Sequence, residues 1–158
     1  MKEIVMRRPL LKTAALLSLF TLTPSAIAAS HIVTVFQCAN KNHKMVNVSL
    51  YDGKYTYRFG KTNQKPDIEL QRFPEQLSHR FHNVSAADTD TGKAQIHELD
   101  FKNGDFTYTV TSSYLGSKYV AGVDVYKKNN LLTSIKCLPD TIIDHLAEHI
   151  FDLPESDS

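Results

Sequence analysis

Short runs of β-favouring residues, separated by turn residues, follow one another along residues 31–137 at intervals of about 8 to 14 residues. Residues 54–60 show the clearest pattern, because aromatic and polar side chains alternate strictly there. Alternate side chains of a strand point to opposite faces, so Tyr55, Tyr57 and Phe59 are predicted to share a buried face. This spacing is typical of an antiparallel β-barrel or sandwich, here of about eight strands.

Three pairs of turn residues lie between strand-like runs and predict tight hairpins: Asp52-Gly53, Asn103-Gly104 and Asn129-Asn130. Two-residue hairpin turns need positive φ, which glycine adopts freely and which asparagine and aspartate tolerate better than most residues. The segment 75–93 gives a weaker signal, since it combines two turn clusters with one possible strand near residues 81–84.

Beyond Pro139 the hydrophobic period changes from that of a strand to that of a helix. Asp140 is placed to cap the start of such a helix and Pro154 to end it. The sequence therefore predicts a short amphipathic α-helix over residues 140–152. The apolar positions that define its buried side are Ile142, Ile143, Leu146, Ala147 and Ile150.

The first 28 residues have the three parts of a cleavable secretory signal. A basic segment precedes an apolar run from Ala14 to Leu22, and the small-residue triplet Ala26-Ile27-Ala28 follows. The apolar run is shorter than the roughly 20 residues that a membrane-spanning helix needs. We therefore expect residues 29–158 to form a single β domain without a membrane anchor, periplasmic or secreted by a bacterium.

Charge gives no support for binding to nucleic acid or to an anionic membrane. The chain has 18 positive and 17 negative side chains. Removal of the first 28 residues would leave 14 and 16, a net charge near −2. Both nucleic acid and anionic lipid favour a strongly basic face, so neither is an expected partner.

Two cysteines, Cys38 and Cys137, lie near opposite ends of the predicted β domain. In an oxidising compartment an even pair without C-x-x-C spacing predicts a structural disulfide. A bridge that closes a loop of about 100 residues stabilises the folded state by up to about 4.7 kcal/mol in the chain-entropy treatment.

Only one string resembles a catalytic motif: His145-Leu146-Ala147-Glu148-His149 has the H-x-x-E-H spacing of inverted zinc peptidases. On a helix this spacing would place His145 and His149 on one face, where they could share a metal with Glu148 as a base. Such a site also needs a third ligand on a substantial scaffold, and only nine residues follow His149. A solvent-exposed helix face is the favoured interpretation, and no cofactor is expected.

After Ser112 and Ser113, residues 114–119 are predicted to form a loop that combines tyrosine, small polar and basic side chains. Tyrosine supplies contact area at little entropic cost, and protein-binding loops on rigid sheets use such residues. We therefore predict a binding loop, although an ordinary connection with packed tyrosines would have the same composition. Its candidate contact residues are Ser113, Tyr114, Ser117, Lys118 and Tyr119.

Residues 112–122, Ser-Ser-Tyr-Leu-Gly-Ser-Lys-Tyr-Val-Ala-Gly, resemble the serine, glycine and tyrosine loop of periplasmic inhibitors of C-type lysozyme. That resemblance implies an antiparallel β-barrel that inserts a loop into the cleft of the enzyme and blocks it. Ser117 and Lys118 would then be the inserting pair, with Tyr119 beside them. Small exported immunity proteins, which neutralise toxins from competing bacteria, fit the same size, export signal and disulfide.

These observations favour a non-catalytic exported protein that binds and neutralises a protein partner, such as a lysozyme-like enzyme or a toxin. Two alternatives stay open. One is a small zinc-dependent hydrolase that uses the H-x-x-E-H string, and the other is a carrier of an apolar small molecule inside a barrel.

Overall fold

The computed structural model describes residues 31–156, which form two antiparallel sheets of five strands each. The predicted signal sequence lies outside the described residues. Sheet 1 has the strand order β10-β1-β2-β3-β4. Its strands are β1 (Val33–Ala39), β2 (Lys44–Tyr51), β3 (Lys54–Lys61), β4 (Ile68–Arg72) and β10 (Ile143–Asp144).

Sheet 2 follows the order of the sequence, β5-β6-β7-β8-β9, and faces sheet 1. Its strands are β5 (Leu77–Ser85), β6 (Lys93–Asn103), β7 (Phe106–Leu115), β8 (Lys118–Lys127) and β9 (Asn130–Lys136). The sheets do not close on each other, so the fold is a sandwich and not a barrel. Strand β5 contains the possible strand predicted near residues 81–84, whereas the short β10 lies where a helix was predicted.

The core forms where the inner faces of the two sheets meet. Tyr55 and Tyr57 are buried as the alternation predicts, and Phe59 packs against them from a partly buried position. A register shift between Thr34 and Phe36 marks a β-bulge in β1. The bulge breaks the alternation, so the adjacent side chains Val35 and Phe36 are both fully buried.

All three predicted hairpins are present, but two of their turns are shifted by one residue. The first turn is Asp52-Gly53, and both residues have positive φ. The second is formed by residues 104–105, because Asn103 pairs with Phe106. The third is formed by residues 128–129, both with positive φ, because Lys127 pairs with Asn130. In each case the strand register, which is set by the buried faces, determines which residues form the turn.

The predicted helix over residues 140–152 is wrong in length. Pro139–Thr141 and Ile150–Asp152 are single 3-10 turns, and the α-helix α1 covers only Leu146–His149. Between them Ile143–Asp144 is extended, because it pairs with β1 and extends sheet 1. Of the predicted apolar side, Leu146 and Ile150 are buried in the core, whereas Ile143 and Ala147 are exposed.

Two further contacts fix the ends of the sandwich. The predicted disulfide between Cys38 and Cys137 is present, with the two Cα atoms 5.6 Å apart, and it ties β1 to the segment that follows β9. The C-terminal segment pairs with β5 through a parallel bridge between His79 and Glu155. Within residues 31–156 no helix has the length and apolar character required to span a membrane.

Candidate functional site

The predicted binding loop is a tight hairpin turn between β7 and β8. Leu115 pairs with Lys118, so only Gly116 and Ser117 form the connection. Gly116 has a φ of 66°, a conformation that glycine adopts without strain. The expected long loop is therefore absent, and four of the five candidate residues lie on strands.

The strand alternation divides the candidate residues between the two faces of sheet 2. Tyr114 and Tyr119 are cross-strand partners on the inner face, with ring centroids 4.8 Å apart, and Tyr114 is 49% exposed. Ser113 and Lys118 lie on the outer face. Ser113 is only 6% exposed, so it cannot contribute much direct contact, whereas Lys118 is exposed.

Asp90, in the connection between β5 and β6, holds the tip of the hairpin. Its carboxylate accepts hydrogen bonds from the Ser117 main-chain N–H at 2.8 Å and from the Ser117 hydroxyl. The Gly116 N–H donates to the Lys93 carbonyl at 2.9 Å. The hydrogen bonds from the hydroxyl and the N–H of Ser117 lower the pKa of Asp90. A Cβ at position 116 would overlap the Asp90 carboxylate, so the turn needs glycine for space as well as for φ.

Tyr119 connects the hairpin to the C-terminal segment. Its hydroxyl donates to Asp144 Oδ2 at 2.7 Å, and Asp144 Oδ1 accepts the N–H of Leu146 at 3.0 Å. Burial raises the pKa of the Tyr119 hydroxyl, and the hydrogen bond to Asp144 raises it further. Tyr119 is therefore a fixed, half-buried side chain that positions its neighbour Tyr114, and it offers little free surface itself.

A second group of aromatic side chains, which no local sequence pattern indicates, occupies the same inner face. The ring of Phe81 stacks on His97 at 4.9 Å, and Phe151 from the C-terminal segment contacts both rings edge-on at 5.5 and 6.3 Å. Phe81 is 38% and Phe151 57% exposed, so the group is open to solvent. We call Phe81, His97, Tyr114, Tyr119 and Phe151 the aromatic end of the sandwich.

Burial lowers the pKa of His97, and the charge of Asp144 offsets part of that shift. The imidazole is therefore neutral near pH 7 and serves as a stacking surface. Pattern alone could not indicate the aromatic end, since Phe81 lies in the segment with the weakest strand signal and Phe151 falls outside the helical stripe.

The proposed zinc ligands do not meet in one site. His145 precedes α1, and its Nδ1 lies 3.1 Å from Glu148 Oε1, so these two side chains are engaged with each other. His149 is the last residue of α1. Among residues 31–156 there is no group of three or more histidine, cysteine, aspartate or glutamate side chains arranged to hold a metal ion.

The acidic residues Glu98 and Asp100 of β6 form ion pairs with Arg80 of β5. Arg80 Nε contacts Glu98 at 2.7 Å, and its two terminal nitrogens contact Asp100 at 2.7 and 3.2 Å. Thr109 donates to the same Asp100 carboxylate at 2.7 Å. Asp100 is only 3% exposed, so this cluster is a partly buried ion-pair network on the outer face of sheet 2.

No family model, curated protein or solved structure matches this chain. The function is therefore inferred from two features of sheet 2, the anchored hairpin tip and the aromatic end beside it.

Proposed function

We propose that this protein is a non-catalytic, exported binding protein that blocks an enzyme attacking the bacterial envelope, such as a lysozyme or a toxin. The observation that carries the proposal is the anchored tip between β7 and β8. Asp90 fixes both the main chain and the side chain of Ser117, and Lys118 projects next to it into solvent. A tip that is ordered before binding loses little conformational entropy when it enters a cleft.

The composition of this region suits contact with a protein. Tyr114 and Phe151 present large rigid surfaces with about half of each side chain exposed. Aromatic residues of this kind dominate the binding energy of protein interfaces. Lys118, on the outer face next to the tip, adds a positive charge, which complements the catalytic carboxylates of a glycosidase cleft. The resemblance of residues 112–122 to the loop of C-type lysozyme inhibitors supports the same class of target.

The covalent framework and the fold also agree with this proposal. A structural disulfide such as Cys38–Cys137 persists in oxidising compartments outside the cytosol. The alternative of a ligand carrier depended on a barrel interior, and the space between the two open sheets is instead filled by core side chains such as Tyr57, Phe36 and Phe101.

The test is inhibition of a C-type lysozyme in a cell-wall lysis assay with the purified protein. Lys118→Glu is expected to weaken inhibition by about tenfold or more, because it replaces a favourable charge with a repulsive one at the contact. Lys65→Glu, in the exposed β3–β4 connection, makes the same charge change away from the tip and should leave inhibition unchanged.

Asp90→Ala tests the role of the ordered tip. It removes both hydrogen bonds to Ser117 without altering a residue that would touch the enzyme. We expect weaker inhibition with an unchanged unfolding midpoint, since Asp90 lies in a surface connection. Equal effects of Lys118→Glu and Lys65→Glu, or full inhibition by Asp90→Ala, would contradict a contact at this tip. Absence of lysozyme binding would exclude that target.

A further inference from the structure

Strand β8 extends beyond its neighbour β9, which leaves part of its edge open next to the tip. The first pair between the two strands joins Gly122 to Lys136. The chain then leaves sheet 2 at Cys137, whose N–H donates to the Ala121 carbonyl at 3.0 Å. Residues 118–121 therefore pair with β7 on one side, and no strand within residues 31–156 pairs with them on the other.

The direction of the main-chain groups on this open edge follows from the bond at Ala121. In an antiparallel strand the N–H and C=O of one residue point to the same neighbour, and the direction alternates along the chain. Since the Ala121 carbonyl faces β9, the N–H and C=O of Tyr119 and the N–H of Ala121 face the same side. Within residues 31–156 these three groups have no hydrogen-bond partner on that side.

A surface cleft of about 380 Å³ lies along the open edge. Pro139 and Ile142 form an apolar part of its wall, and Lys118 and Lys136 contribute exposed positive charges. The one carboxylate in the lining, Asp124, accepts a hydrogen bond from the Ser134 hydroxyl. The cleft therefore combines unpaired main-chain groups, an apolar wall and two available cations.

The opposite edge of sheet 2 shows how this fold covers an open strand. There the C-terminal segment lies along β5, where the N–H of His79 donates to the Pro154 carbonyl and the N–H of Ser156 donates to the His79 carbonyl, both at 2.9 Å. The sandwich thus already accepts an extended segment along one edge, whereas the edge at residues 118–121 has no such cover in the described part of the chain.

We propose that the open edge of β8 binds an extended, acidic segment of a protein partner by β-augmentation. Main-chain hydrogen bonds to Tyr119 and Ala121 would provide the pairing, and carboxylates of the segment would face Lys118 and Lys136. A second copy of this chain would bind less well at this edge. Pairing of the two edges would bring Lys118 and Lys136 of both copies close together, and these like charges repel. The inference goes beyond the proposed function, since it does not require the partner to be an enzyme.

The experiment measures amide hydrogen exchange of the whole protein by NMR with and without a capped peptide, Thr-Glu-Val-Glu-Val-Thr. With the peptide at about ten times its Kd, exchange of the N–H groups of Tyr119 and Ala121 should slow about tenfold. Only the protein molecules without bound peptide, about a tenth of the total, can exchange these groups. The lysine analogue Thr-Lys-Val-Lys-Val-Thr should not protect them.

N-methylation of the peptide makes the test specific for strand pairing. Methyl groups on one alternate set of residues should abolish protection, and methyl groups on the other set should leave it intact, since only one set faces the protein. Lys136→Glu should weaken binding about fivefold, while Lys65→Glu should have no effect.

Protection that survives both methylation patterns, equal binding of the lysine analogue, or protection at another edge would overturn the inference. These outcomes are independent of lysozyme inhibition, because Lys136 does not belong to the proposed tip contact. A Lys136→Glu variant that inhibits lysozyme fully but binds the peptide about fivefold more weakly would separate the two sites.

Discussion

The ion-pair network around Arg80 allows a quantitative test of what holds sheet 2 together. Replacing Arg80 with methionine keeps much of the side-chain volume but removes three charge-assisted contacts. The Asp100 side chain is only 4% exposed, so its carboxylate would keep Thr109 as its hydrogen-bond donor and gain little solvation. Glu98 is 17% exposed and would be reached more easily by water.

The expected loss in the free energy of unfolding of Arg80→Met follows from the burial of these side chains. Removing one partner of a buried ion pair costs about 3–5 kcal/mol, because the other charge stays uncompensated. The Arg80 side chain is itself 21% exposed, which places the expected loss at or just below the lower limit of that range, at about 2–3 kcal/mol. Arg58→Met is the matched control, since Arg58 forms a similar 2.8 Å contact with Glu69 but is 54% exposed. Its expected cost is about 0.5 kcal/mol or less.

The assay is urea unfolding followed by circular dichroism and by tyrosine fluorescence, which suits a chain without tryptophan. Two probes with coincident transitions justify a two-state free energy. A double variant, Arg80→Met with Asp100→Asn, should lose clearly less free energy of unfolding than the two single variants added together. It also removes the Asp100 charge that Arg80→Met alone would leave without a partner. If Arg80→Met loses no more than about 1 kcal/mol beyond Arg58→Met, the network does not stabilise the sheet as the geometry indicates.

Two other substitutions test groups in the interior. The Tyr57 hydroxyl is buried without a hydrogen-bond partner among residues 31–156, so Tyr57→Phe should raise the free energy of unfolding by about 1 kcal/mol; a clear loss would show that the hydroxyl has a partner. Burial lowers the pKa of His97 from its ordinary value of 6.5. As the pH falls below 6.5, the unfolded chain therefore binds a proton at this residue before the folded chain does, and the free energy of unfolding decreases. His97→Gln should therefore lose less stability than the unchanged protein between pH 7.5 and 5.5, and identical losses in urea unfolding would refute this role.

The sequence predicted the all-β class, the disulfide and the core face of β3, because all three depend on short-range pattern or on cysteine chemistry. It failed where tertiary pairing competes with local pattern. Residues 143–144 lie within the predicted helix, yet they gain main-chain hydrogen bonds by pairing with β1, and the helix shortens to Leu146–His149. The bulge at Val35 and the shifted turns have the same origin, since strand register is a property of two strands together.

In the candidate site, too, local pattern was informative and tertiary pairing was not predictable. The composition of residues 114–119 led to the prediction of a loop, but a two-residue turn imposes strand alternation there and sends Ser113 and Tyr114 to opposite faces. The aromatic end depends on contacts between β5 and the C-terminal segment, as in the packing of Phe81 against Phe151. Those residues are 70 positions apart, and no local period connects them.

The hairpin β7–β8 is held in place by two aspartates from different parts of the fold. This arrangement determines whether the tip and the open edge of β8 can be changed independently. Asp90 holds the tip through Ser117, whereas Asp144 holds the inner face through Tyr119. Asp90 lies in the β5–β6 connection and Asp144 in strand β10, so loosening one anchor should leave the other in place. The tip can be altered through Asp90 and the open edge of β8 through Lys136, although Lys118 belongs to both surfaces. A partner that contacted both the tip and the open edge would bind a hairpin that is already ordered. Asp90 and Asp144 hold that hairpin in place, and neither aspartate needs to contact the partner.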